Sequence, residues 1–266
     1  MHPVLIEIGP LSIRYYGLMY VLGIIVAIFL IRSEVRRKGL PLTDDDQTNL
    51  LLLTVFAGII GARLYYVVLN WSFYRQFLWE IPAVWRGGLA IHGGVIGGTC
   101  AVFWFARRKQ IPVLRLMDVL APPLILGQAL GRLGNFMNGD AHGGPTTLPW
   151  GLVFSPQTPA GSQFPNMPLH PTMLYEMVIN LGIFVYLWMT RKRPAKDGYT
   201  TMRYLLLYSL GRFGVEFLRA DSLWLGPFRA AQVVSLVLIA LSATLIIVWR
   251  LWLPEPQSHK PAKRPA

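Results

Sequence analysis

The sequence predicts an all-α, polytopic integral membrane protein, and three observations carry that prediction. Of 266 residues, 53% are hydrophobic and only 14% charged, with a mean hydropathy of +0.43, whereas a soluble domain carries about a quarter charged residues. Apolar runs recur at residues 15–31, 50–69, 89–106, 116–136, 171–189, 204–218 and 230–252. Each is close to the roughly 20 residues a helix needs to cross ~30 Å of hydrocarbon, which gives seven spans. The third observation is that the basic residues gather in alternate connections.

Taken in order, the first run follows "MHPVLIEIGPLSIR", which has neither a basic n-region nor a small-residue cleavage site, so it reads as a retained helix and not a signal peptide. Seventeen of the 25 Lys and Arg lie in "RSEVRRK", in the set Arg107, Arg108, Lys109 and Arg115, in "RKRPAK" with Arg203, and in the tail from Arg250. Five, namely Arg14, Arg75, Arg86, Arg219 and Arg229, fall in the opposite loops, and Arg63, Arg132 and Arg212 lie within or at the ends of spans. The positive-inside rule then predicts a periplasmic N-terminus and a cytoplasmic C-terminus, as an odd number of spans requires. The net charge of +12 follows from these loops and implies no nucleic-acid partner. The only cysteine, Cys100, falls in the third run, where an apolar setting leaves a thiol inert. Pro122 and Pro123 predict a kink or a break in the fourth. Residues 137–170 contain no Lys or Arg and are rich in Pro, Gly, Ser and Thr, which suggests a small ordered periplasmic cap. Residues 1–253 are thus expected to form a single seven-helix transmembrane domain including the cap, with a disordered cytoplasmic tail over 254–266. No internal repeat suggests transporter symmetry.

A charged side chain near the bilayer centre costs at least ~2.5 kcal/mol, so each polar residue within the spans is by default a functional candidate. In "YSLGRFGVEFLR", a helix would place Tyr208, Arg212, Glu216 and Arg219 on one face, with Arg212 and Glu216 one turn apart. That pair is either a self-contained ion pair or part of a binding site. Gln128, Arg132 and Asn135 share a face in "GQALGRLGNFMNGDAHGG", beside Gly127, Gly131 and Gly134, which let another backbone or a lipid approach. The planar fork of arginine suits phosphate. Arg132 and Arg212 also outnumber the acid expected near them, so an external anion is anticipated. His92 in "IHGGVIGG" is either a packing residue among helix-contact glycines or a proton acceptor. "HPTMLYE" brings His170, Tyr175 and Glu176 to the start of the fifth run. No metal-ligand spacing, serine nucleophile or Walker loop is present, so neither a metal nor a cofactor is expected.

The thirteen residues "GRLGNFMNGDAHG" resemble the signature segment of prolipoprotein diacylglyceryl transferases. "YYGLMY", "GARLYYV", "GGLAIHGGVIGG", "HPTMLYE" and "YSLGRFGVEFLR" resemble the family's other blocks, in the same order, over essentially the whole chain. The positions matching the family's functional residues are Tyr16, His92, Arg132, Asn135, Gly143, Tyr208, Arg212 and Glu216, while position 140 carries Asp where the family often has Glu. The resemblance implies transfer of diacylglyceryl from phosphatidylglycerol to the lipobox cysteine thiol of preprolipoproteins in the bacterial inner membrane, releasing glycerol phosphate. It further implies that Arg132 and Arg212 steady the phosphate and His92 takes the thiol proton. Glu216 would orient Arg212, and Tyr16, Asn135, Gly143 and Tyr208 would help hold the lipid. The competing readings are a lipid or organic-anion transporter using the same arginines, and a noncatalytic membrane chaperone for lipoproteins.

Overall fold

The computed structural model describes residues 4–8 and 11–254. From residue 255 on, the tail expected to be disordered lies outside the described residues. The helices are α1 (Tyr15–Lys38), α2 (Asp44–Leu69), α3 (Trp71–Tyr74), α4 (Ile91–Arg108), α5 (Val113–Asn138), α6 (Pro159–Gln163), α7 (Thr172–Thr190), α8 (Tyr199–Glu216) and α9 (Ala230–Trp249). Two antiparallel hairpins precede α1 and α9: β1 (Val4–Ile8) with β2 (Leu11–Arg14), and β3 (Trp224–Leu225) with β4 (Phe228–Arg229). The fold is thus mainly helical, and α1, α2, α5, α7 and α9 are long and apolar enough to cross a membrane. The chain is a multi-pass membrane protein. The other two apolar runs form α4 and α8, of 18 residues each. Helix α5 runs unbroken through Pro122 and Pro123, so of the two outcomes expected there a break is excluded.

The chain divides into two compact units, Ile24–Pro123 and Met1–Gly23 with Leu124–Ala266. In the first, Ile31, Val35, Leu50, Phe105, Leu116 and Val119 form a buried core. Helix α1 stops where Gly39 turns left-handed at φ 62°. Helix α2 begins with a capping box, the Thr43 hydroxyl accepting from the Asp46 amide and the Asp46 carboxylate from the Thr43 amide. Asp44, Asp45 and Asp46 complement the positive end of the helix dipole. Helices α2 and α4 then pack with their backbones in near contact. A Cβ on Gly97 would lie 2.2 Å from the Ala57 carbonyl oxygen, and one on Gly61 would lie 2.4 Å from that of Gly93.

Arg63, on α2, is only 5% exposed and, among the described residues, meets no carboxylate. Its guanidinium donates instead to the carbonyl oxygens of Glu80, Ile81, Gly87 and Gly88, at 2.5, 2.9, 2.6 and 3.1 Å, and lies 5.1 Å from the centre of the Tyr74 ring. One cation thereby satisfies the carbonyls of the loop leading into α4, a requirement as strict as it is for any buried backbone.

The second unit contains the segment between α5 and α7. Gly139, at φ 70°, ends α5, and its amide donates to the Asn135 carbonyl at 2.8 Å. In the following segment Phe154, Ala160 and Leu169 form a small core with Met173 of α7, and Leu152 and Leu169 form a β-bridge. It is an ordered loop and not a linker.

Candidate active site

Three helices of the second unit bring charge together. Arg132 comes from the last two turns of α5, Glu176 from the first turns of α7, and Arg212 and Glu216 from the last turns of α8. Arg219 lies beyond the end of α8 and is recruited by backbone pairing: Gly143 bridges to Arg219, the Gly143 amide donates to the His170 carbonyl at 2.9 Å, and the Gly144 amide donates to that of Leu218 at 2.9 Å.

Glu176 is the centre of the cluster. Its Oε1 accepts from Arg212 Nη1 at 2.8 Å and from Arg219 Nη1 at 3.0 Å, and its Oε2 lies 2.5 Å from Arg132 Nη2. This last is a contact of charges without an aligned N–H, and among the described residues Oε2 has no hydrogen-bond donor. Glu216 Oε2 lies 2.7 Å from Arg212 Nη2 and 4.0 Å from Arg219 Nε. The Glu216 backbone carbonyl accepts from Arg229. Arg219 is also forked onto Asp221 at 2.9 and 2.7 Å. Burial opposes the charge on Arg219, but Asp221 and then Glu176 outweigh it and hold the guanidinium above its ordinary pKa, so it stays protonated. Three guanidiniums therefore face three carboxylates, which corrects the expectation that Arg132 and Arg212 outnumber nearby acid. Glu176 from α7 and Asp221 from the loop after α8 supply the additional negative charge.

Asn135 Oδ1 accepts from Arg132 at 3.3 Å, and Asn135 Nδ2 donates to Asp140 at 2.5 Å. Asp140 also accepts from Asn138 at 2.7 Å, so this carboxylate orients the amide that faces Arg132. Tyr16 fills the notch at Gly134, where a Cβ would stand 2.7 Å from its ring, and accepts from the Tyr20 hydroxyl at 3.3 Å. Gly127 and Gly131, by contrast, face open space: among the described residues, nothing beyond their own helix turn and chain neighbours comes within 4 Å of an added Cβ. Tyr208 stacks on Tyr204, whose hydroxyl accepts from Gln128 at 3.0 Å. Tyr175 bonds Trp150 at 2.8 Å and lies 3.4 Å from His170. His92 belongs to the other unit, where it is exposed at the start of α4 with its ring 5.9 Å from that of Tyr65.

The helices and this cluster define a multi-pass membrane protein with buried arginines and carboxylates gathered from three helices and the loop after α8. The family model for prolipoprotein diacylglyceryl transferase matches residues 3–248. Phosphatidylglycerol–prolipoprotein diacylglyceryl transferases are similar over most of the chain. That of Fusobacterium nucleatum is 41% identical, covering 91% of this chain and 96% of the relative. That of Synechococcus elongatus is 45% identical, covering 93% and 86%. That of Clostridioides difficile is 42% identical, covering 85% and 87%. The chain belongs to the prolipoprotein diacylglyceryl transferase family.

Proposed function

We propose that this chain transfers the diacylglyceryl group of phosphatidylglycerol to the lipobox cysteine thiol of preprolipoproteins, forming a thioether and releasing glycerol phosphate. The observation that carries the reading is the convergence of Arg132, Arg212 and Arg219 at one place, within a chain matching the family from residue 3 to residue 248. The thiolate sulfur attacks the glyceryl carbon, the carbon–oxygen bond to phosphate breaks, and the leaving phosphate gains negative charge. Guanidiniums already in place stabilise that charge without reorganising. Arg132 and Arg212 carry this role, with Glu216 fixing Arg212, and Asn135, Tyr16 and Tyr208 positioning the headgroup. Gly143 keeps the backbone beside them close-packed. His92 takes the thiol proton, since the thiolate is the nucleophile. The setting is the bacterial inner membrane, with seven spans, a periplasmic N-terminus and cap, and a cytoplasmic C-terminus.

The test combines the purified protein with labelled phosphatidylglycerol and a lipobox peptide. Wild type should yield the thioether without energy input. Arg132→Lys and Arg212→Lys should each lose most activity, because an ammonium cannot reproduce the fork. His92→Gln should slow turnover and recover partly at high pH, where the free thiol, with a pKa of ~8.5, ionises unaided. No thioether from wild type would sink the reading, and near-normal rates in the variants would reassign the roles.

A further inference from the structure

The three guanidiniums are not held equally. The Arg219 side chain is 8% exposed and has two bonds to Asp221 in addition to its bond to Glu176. Arg212, 17% exposed, has a 2.8 Å bond to Glu176 Oε1 and a close contact with Glu216. Arg132 is the most exposed of the three at 21% and the least well bonded. It meets Glu176 Oε2 without an aligned N–H and Asn135 only at 3.3 Å. Glu176 itself is 4% exposed at its side chain, so Oε2 is a buried anionic oxygen with Coulomb attraction and, among the described residues, no directional bond.

A guanidinium offers the same fork to a carboxylate and to a phosphate, so the two compete for it. The contact between Arg132 and Glu176 Oε2, like that between Arg212 and Glu216 Oε2, has no aligned N–H to give up when it is exchanged, but Arg212 keeps its bond to Glu176 Oε1 and Arg132 is the more exposed. Gly131, beside Arg132, leaves open space.

We propose that Glu176 is a positioning residue that stands in for the substrate's phosphate. Its Oε1 keeps Arg212 and Arg219 together throughout, while its Oε2 holds Arg132 until a phosphodiester oxygen takes the fork in its place. After the carbon–oxygen bond has broken, the return of Oε2 to Arg132 displaces glycerol phosphate. The proposal rests on the transferase reading above and adds to it that a resident carboxylate weakens the hold on both lipid and product, allowing turnover.

The test is transfer by the full-length, detergent-solubilised chain with glycerol phosphate added as inhibitor. In Glu176→Gln the competitor is gone, so the inhibition constant and the KM for phosphatidylglycerol should both fall, roughly tenfold for a ~1.4 kcal/mol gain in anion affinity, while kcat drops. A carboxylate that only supports the fold predicts the opposite: lower thermal stability with inhibition unchanged or weaker, and that result overturns the proposal. Glu176→Asp keeps the charge but withdraws it from Arg132, so its inhibition constant should fall by less. If the Gln variant does not fold, an unchanged constant in Glu176→Asp overturns the proposal. Should both fail to fold, difference infrared on wild type labelled at glutamate decides, since adding glycerol phosphate must shift a buried carboxylate band. Absence of transfer by wild type would count against the transferase reading instead.

Discussion

Gly143 is fixed by its surroundings. A Cβ there would stand 2.6 Å from the His170 Cβ and 2.7 Å from the Leu218 carbonyl oxygen, and both neighbours belong to the pairing that delivers Arg219 to Glu176. Gly143→Ala should therefore destabilise by about 1–3 kcal/mol, the usual cost of overpacking, and lower transfer by displacing Arg219. Wild-type melting and turnover in this variant would show that the segment yields freely. Residues close in sequence made parts of the cluster legible in advance. Arg212 and Glu216 stand one turn apart, a spacing that predicts contact, and the Arg132–Asn135 contact has the same origin. The place of Glu176 was not legible, because its partners lie on α5, α8 and the loop after α8, and no periodicity records a meeting of three segments. Arg219 was expected on the face of a longer helix, yet α8 ends at Glu216 and the Gly143 bridge brings Arg219 in.

Among the elements, α2 and α4 show most directly how glycine sets helix spacing in a membrane, where small residues let backbones approach and packing replaces the hydrophobic drive. Gly97 and Gly98 are neighbours in sequence with different surroundings: a Cβ at Gly97 would meet the Ala57 carbonyl oxygen at 2.2 Å, and one at Gly98 nothing closer than the Thr54 methyl at 3.5 Å. Gly97→Ala should lower the melting temperature in detergent markedly, at a cost of about 1–3 kcal/mol. Gly98→Ala should leave it nearly unchanged, and equal melting of the two would contradict this account of the contact. The seven apolar runs all coincide with helices of 18 residues or more, since length and hydropathy need no partner to be read. The two β hairpins were not anticipated. "LIEI" and "LSIR" on either side of a Gly-Pro pair are a hairpin signal, but the apolar pattern that follows dominates it.

For the whole molecule, the asymmetry of basic residues predicts orientation. Ser33 and Ser162 are both exposed. In a Cys100→Ala background, a cysteine at Ser162 should react with an impermeant maleimide in intact cells and one at Ser33 should not, and the reverse pattern would invert the topology. That Arg132, Glu176 and Arg212 come from three separate helices also has a consequence for how the protein is made. The ribosome delivers Arg132 well before Glu176, and α5 contains no acid of its own within a turn of it. Arg212 emerges last and brings Glu216 with it. The first arginine must therefore wait, unneutralised, for a helix not yet synthesised. Chains cut short between α5 and α7 would carry a charge that the bilayer disfavours, and so would be distinguishable from finished ones by any quality-control machinery that senses it.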